Sequence, residues 1–62
     1  MKKLAEDLKV GDNLKLIWVG QNKTIKAFHE YKGTLDFILK TAVFLDGAKM
    51  SLEKGRYYEC EE

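Results

Sequence analysis

The stretch Thr41-Ala42-Val43-Phe44-Leu45-Asp46-Gly47-Ala48-Lys49-Met50-Ser51-Leu52 decides the fold, because apolar residues run up to an Asp-Gly pair and resume beyond it. Asp-Gly in that setting favours a two-residue hairpin turn of type I′, whose central residues need positive φ; glycine adopts it freely and aspartate tolerates it. Such a turn pairs Leu45 with Ala48, Val43 with Met50 and Thr41 with Leu52, which assigns Val43, Leu45, Met50 and Leu52 to the core. On the other face it sets Phe44 beside Lys49 and Ala42 beside Ser51.

Toward the C-terminus, a turn at Lys54-Gly55 leads into residues 56–60, where Glu59 faces solvent, sends Tyr57 out with it and turns Tyr58 and Cys60 inward. Toward the N-terminus, residues 24–31 admit two readings. As a strand they pair through Lys32-Gly33 with residues 34–39, setting Phe28 opposite Phe37, Glu30 opposite Leu35 and His29 opposite Asp36. As a helix they start at Asn22 as N-cap, carry Ile25 and Phe28 on one face and stop at Gly33. The aromatic pair favours the strand. Before it, Gly20-Gln21-Asn22-Lys23 reads as a turn, and Leu14, Leu16 and Trp18 alternate with Lys15, Ile17 and Val19 as a second strand whose other face is also partly apolar. Trp18 therefore reads as core. Residues 2–9 place Leu4 and Leu8 four apart, suiting a short helix that lies on the core.

Glycines at positions 11, 20, 33, 47 and 55 divide the chain into strand-length segments. The expected fold is all-β: a small SH3-like barrel of about five short antiparallel strands with a short N-terminal helical turn. The alternative is an α+β fold, with a helix over residues 22–32 packed on an antiparallel sheet of about three or four strands. The phrase Leu8-Lys9-Val10-Gly11-Asp12-Asn13-Leu14-Lys15-Leu16, a leucine, a Val-Gly-Asp turn and an alternating strand, resembles the opening of many SH3-like small barrels. That resemblance spans about nine residues and implies architecture only, because barrels of this kind serve unrelated functions.

A chain of 62 residues and 7.2 kDa reads as one small domain, residues 1–62. At this size roughly 60% of the unfolded surface is buried, so few large apolar side chains can be spared for a deep pocket. The net charge is +1, and +4 without the acids Glu59, Glu61 and Glu62, a mild asymmetry compatible with a polyanion. Cys60 is the sole cysteine and cannot close an intrachain disulfide. The apolar runs are far shorter than the ~20 residues of a membrane span, and Glu6, Asp7 and Lys9 interrupt what could follow a basic signal-peptide start. The expected location is the cytoplasm.

Catalysis lacks a candidate constellation. Cys60 sits among glutamates that disfavour a thiolate, and the expected His29/Asp36 pair reads as cross-strand polarity. One histidine and one cysteine fall short of a zinc site, and no phosphate-binding or dinucleotide-binding glycine pattern occurs, so neither metal nor cofactor is expected. The sequon Asn22-Lys23-Thr24 reads as part of a turn, and the Cys60-Glu61-Glu62 end as a solvated acidic tail. The residues left to explain are outward aromatics near cations: Phe44 with Lys49, Tyr57 with Arg56, and Lys15 and Lys26 nearby. The sequence thus points to a non-enzymatic binding module that engages a larger protein or a second copy of itself. The alternative is a nucleic-acid-binding barrel, with the rings stacking on bases and the cations following phosphates.

Overall fold

The computed structural model describes residues 1–61, apart from the side chain of Trp18; the expectation that Trp18 is core, and Glu62 in the acidic tail, lie outside the described residues. Six strands form: β1 (Lys2–Leu4), β2 (Asn13–Leu16), β3 (Gln21–Glu30), β4 (Ile38–Phe44), β5 (Lys49–Glu53) and β6 (Tyr57–Glu61). They make one antiparallel sheet in the order β1-β6-β2-β3-β4-β5. The all-β expectation holds. Among the described residues no helix is long and apolar enough to cross a membrane.

The β4–β5 hairpin forms at the expected place but in a different register. Val43 pairs with Lys49, Ala42 with Met50, Thr41 with Ser51 and Lys40 with Leu52. The loop holds three residues, Leu45, Asp46 and Gly47, closed by Phe44 N–H to the Ala48 carbonyl (2.8 Å) and Gly47 N–H to the Phe44 carbonyl (3.0 Å). Gly47, at φ 88°, takes the left-handed position, and Asp46 keeps a negative φ while its carboxylate accepts the Ala48 N–H at 2.9 Å. This is a turn with a following glycine bulge, which relieves aspartate of the positive φ that a two-residue loop demands. The extra residue inverts the phase of β4. Phe44 and Ala42 face the core, Val43 is only half-buried, and Leu45 is 67% exposed; β5 keeps its expected phase, with Leu52 buried and Met50 packed against the core.

Of residues 24–31, all but Tyr31 belong to a strand, not a helix, but from Ile25 to Glu30 the partner is β4 rather than residues 34–39. Phe28 lies opposite Ala42, His29 opposite Thr41 and Glu30 opposite Lys40, so the expected Phe28/Phe37 and His29/Asp36 pairs do not form. β4 offers a longer apolar strand, and Lys40 Nζ settles 4.0 Å from the Phe28 ring centroid, a cation–π contact the shorter pairing lacks. Residues 31–37 become the connecting loop. β3 is shared between neighbours: Gln21–Thr24 pairs with β2 and Ile25–Glu30 with β4, with a register irregularity between Ile25 and Ala27.

Two further expectations shift. β2 stops at Leu16, and a 3-10 turn at Ile17–Val19 ends in Gly20, left-handed at φ 66°; the turn expected at residues 20–23 thus comes three residues earlier, and Asn22 of the sequon sits in β3 opposite Lys15. At the N-terminus, Lys2–Leu4 pairs with β6 instead of forming a helix, and only Ala5–Asp7 makes a 3-10 turn. A helix that short cannot repay its nucleation, whereas a strand finds backbone partners on β6 at once. Ala5 and Leu8 still reach the core. That core gathers Leu14, Leu16, Ile25, Phe44, Leu52 and Cys60, and each large apolar side chain within it contributes about 1.5–3 kcal/mol by burial.

Candidate binding cleft between β2 and β6

β6 follows its expected alternation, with Tyr57 exposed, Tyr58 half-buried and Cys60 buried. On one edge it pairs with β1 from Tyr57 to Glu59. On the other it meets β2 only at Asn13↔Glu61 and Leu14↔Cys60. Past that point β2 runs into the 3-10 turn, and the strands part. The opening is a cleft of about 200 Å³ lined by residues 14–17 of β2 and the turn after it, residues 56–59 at the start of β6, and Lys2 of β1. A shallower recess continues from Lys15 and Ile17 to Gly20, Gln21 and Asn22.

The backbone direction of β6 follows from its bonds to the N-terminal segment. Cys60 N–H donates to the Met1 carbonyl and the Cys60 carbonyl accepts from the Met1 amino group, while the Arg56 carbonyl accepts from Ala5 N–H at 3.0 Å. Residues 60 and 56 therefore direct their polar groups at β1. Alternation along the strand turns those of Tyr57 the other way, toward the cleft, where the β2 ladder has already ended.

Large apolar surface lines the mouth: Ile17 is 83% and Tyr57 60% exposed. The charges around it are unequal in their engagement. The Arg56 guanidinium pairs with Glu53 at 2.7 Å and stacks 5.6 Å from the Tyr58 ring centroid; Glu53 raises its pKa further. Glu59 lies 3.2 Å from the Met1 amino group. Lys2 and Lys15 enter no ion pair among the described residues.

Of the residues singled out from sequence, the structure brings Lys15, Arg56 and Tyr57 into this cleft. It does not bring the others there. Phe44 is 1% exposed, so its ring is closed to any ligand, and the cation beside it is Lys23 (6.0 Å from the ring centroid), itself bridged to Asp46 at 2.9 Å. Lys49 faces solvent on β5 opposite Val43, not over Phe44, and Lys26 is exposed at the irregularity in β3. Ile17 and Lys2 went unrecognised. Ile17 left one signal, an apolar residue on the polar phase of β2, whereas Lys2 stood in an expected helix.

Cys60 is buried; desolvation first, and then the Asp12 charge, push its thiol pKa up. His29 lies on β3, separated from β6 by β2 in the sheet, so the pair assembles no nucleophile and base. Among the described residues no three His, Cys, Asp or Glu gather as a metal site. The cleft offers a largely apolar lining, two cations outside any ion pair among the described residues, and the backbone of Tyr57 beyond the end of the β2 ladder. Comparison with known proteins finds no matching family model, and no significantly similar curated protein or solved structure.

Proposed function

We propose that this protein is a non-enzymatic interaction module that engages a larger protein through the β2–β6 cleft. One observation carries the reading: Ile17 and Tyr57 stand exposed in one cleft where β2 and β6 stop pairing. Contiguous apolar surface of this kind is costly to a small domain and is characteristic of contact sites. The volume supports a protein ligand over a cofactor, since about 200 Å³ falls below the roughly 300–1,000 Å³ of small-molecule pockets and suits one or two side chains. Cytoplasmic residence fits the single buried, unpaired cysteine.

A second reading, a nucleic-acid-binding surface, draws on Lys2, Lys15 and Arg56 around the Tyr57 ring, although the burial of Phe44 removes its other aromatic. Amide chemical-shift mapping of the labelled protein against peptide and oligonucleotide panels tests both. Peptide-induced shifts confined to residues 15–17 and 56–59 are expected; oligonucleotide shifts there that weaken steeply with salt would favour the second reading. Silence of the cleft toward both panels would end both. Sedimentation equilibrium in parallel reports whether a second copy is the occupant.

A further inference from the structure

We infer that the cleft takes an extended acidic segment of its protein partner, paired by backbone hydrogen bonds to Tyr57 and seating one apolar side chain between Ile17 and Tyr57. The inference rests on the interaction-module reading and adds the conformation and charge of the ligand.

The conformation comes from β6. Tyr57 directs its N–H and C=O into the cleft, where β2 has turned away, so a strand laid along β6 there recovers the two bonds the ladder leaves unmade. Strand addition satisfies an open sheet edge and places alternate side chains on opposite faces. The residue that pairs with Tyr57 shares its face of the sheet, so its side chain lies between Tyr57 and Ile17, where about 200 Å³ admits one of leucine size with room to spare. Side chains two residues away emerge on the same face, that of Lys2 and Lys15.

Charge selects the ligand. Lys2 and Lys15 are the cations of the rim that no carboxylate holds among the described residues, and Glu59, the acid of the lining, is engaged by the Met1 amino group. Acidic side chains flanking the apolar one complement that rim, while basic ones are repelled.

The test uses the labelled full chain and three capped pentapeptides: one leucine between pairs of glutamates, the same with lysines for glutamates, and the glutamate peptide with its leucine nitrogen methylated. The glutamate peptide should shift the Tyr57 amide together with those of residues 15–17. Methylation should weaken it about fivefold, the worth of one backbone hydrogen bond. Lys15→Glu, an exposed change that leaves the core untouched, should also weaken it about fivefold, and the lysine peptide should not bind. Equal binding of the lysine peptide, no effect of methylation, or shifts centred elsewhere would each overturn the inference. Binding at the cleft by the lysine peptide alone would sink it and spare the module reading; a cleft silent to every peptide would sink both.

Discussion

The β4–β5 hairpin and the β2–β6 pair are antiparallel neighbours made of similar residues, and they end differently. β4 and β5 are joined by three loop residues, so their meeting costs little loop entropy, and the pairing runs from Phe44 and Ala48 back to Ile38 and Glu53. β2 and β6 meet across most of the chain, pair at Leu14↔Cys60 and Asn13↔Glu61, and part where β2 enters its 3-10 turn. Two aromatics record the outcome: Phe44 is 1% exposed and Tyr57 60%. Each ring follows the phase of its strand: Phe44 shares the core face of β4 with Ala42, and Tyr57 stands on the face of β6 opposite buried Cys60.

The largest expected effect breaks that comparison at its buried side. Phe44→Ala should cost about 3–5 kcal/mol, which approaches the whole stability of a domain this small, so urea denaturation should show a largely unfolded protein. Tyr57→Ala and Leu45→Lys should each stay within about 0.5 kcal/mol of the parent, since both side chains stand in solvent. Comparable losses for Phe44→Ala and Tyr57→Ala would mean the cleft is structural and the contrast false.

Next in size is the loop that sets the hairpin register. Gly47 holds φ 88° with nothing within 4 Å of where a Cβ would stand, so the cost of a side chain there is conformational rather than steric crowding by neighbours. Gly47→Ala should destabilise by about 1–2 kcal/mol in the same urea experiment, and Gly47→Asn by less, because asparagine visits the left-handed region more readily. A neutral Gly47→Ala would mean that residue 47 does not hold the left-handed conformation on which the bulged loop rests.

The same loop explains what could be read from sequence. In β6 the phase was legible because Glu59 marks the solvent side and fixes Tyr57, Tyr58 and Cys60 by alternation. β4 carries apolar residues on both phases, Ala42 and Phe44 on one and Val43 and Leu45 on the other, so no polar residue reports the register. Asp-Gly marks the hairpin but suits two-residue and three-residue loops alike, and leucine is an unusual first loop residue. One residue of ambiguity then exchanged Phe44 for Leu45 in the core. The cleft was half legible for a related reason. Lys15, Arg56 and Tyr57 follow from alternation within their own segments, but Lys2 and Ile17 join them only because a ladder between distant segments stops short, which no local pattern encodes.

The smallest expected effect is electrostatic and sets the two regions side by side. In the hairpin, Asp46 has its pKa lowered first by the Lys23 ammonium, 2.9 Å away, and then by the Ala48 N–H. At the start of β2, Asp12 is lowered first by the Lys9 N–H at 2.9 Å and further by Lys3 at 3.3 Å. Both folded-state values lie below the ordinary aspartate value of about 3.9 in the unfolded chain. Their contribution to stability is therefore complete above that value and is lost as pH falls through the folded-state values, so the melting temperature should drop below about pH 4. Asp46→Asn and Asp12→Asn should each flatten that acid limb while leaving the neutral-pH spectrum of the fold in place. Asp46 is the more exposed of the two, so added salt should erase its share first. If Asp46→Asn instead leaves the acid limb as steep as in the parent, then Asp46 serves the hairpin through its bond from Ala48 N–H, which the asparagine carboxamide oxygen also accepts, rather than through its charge.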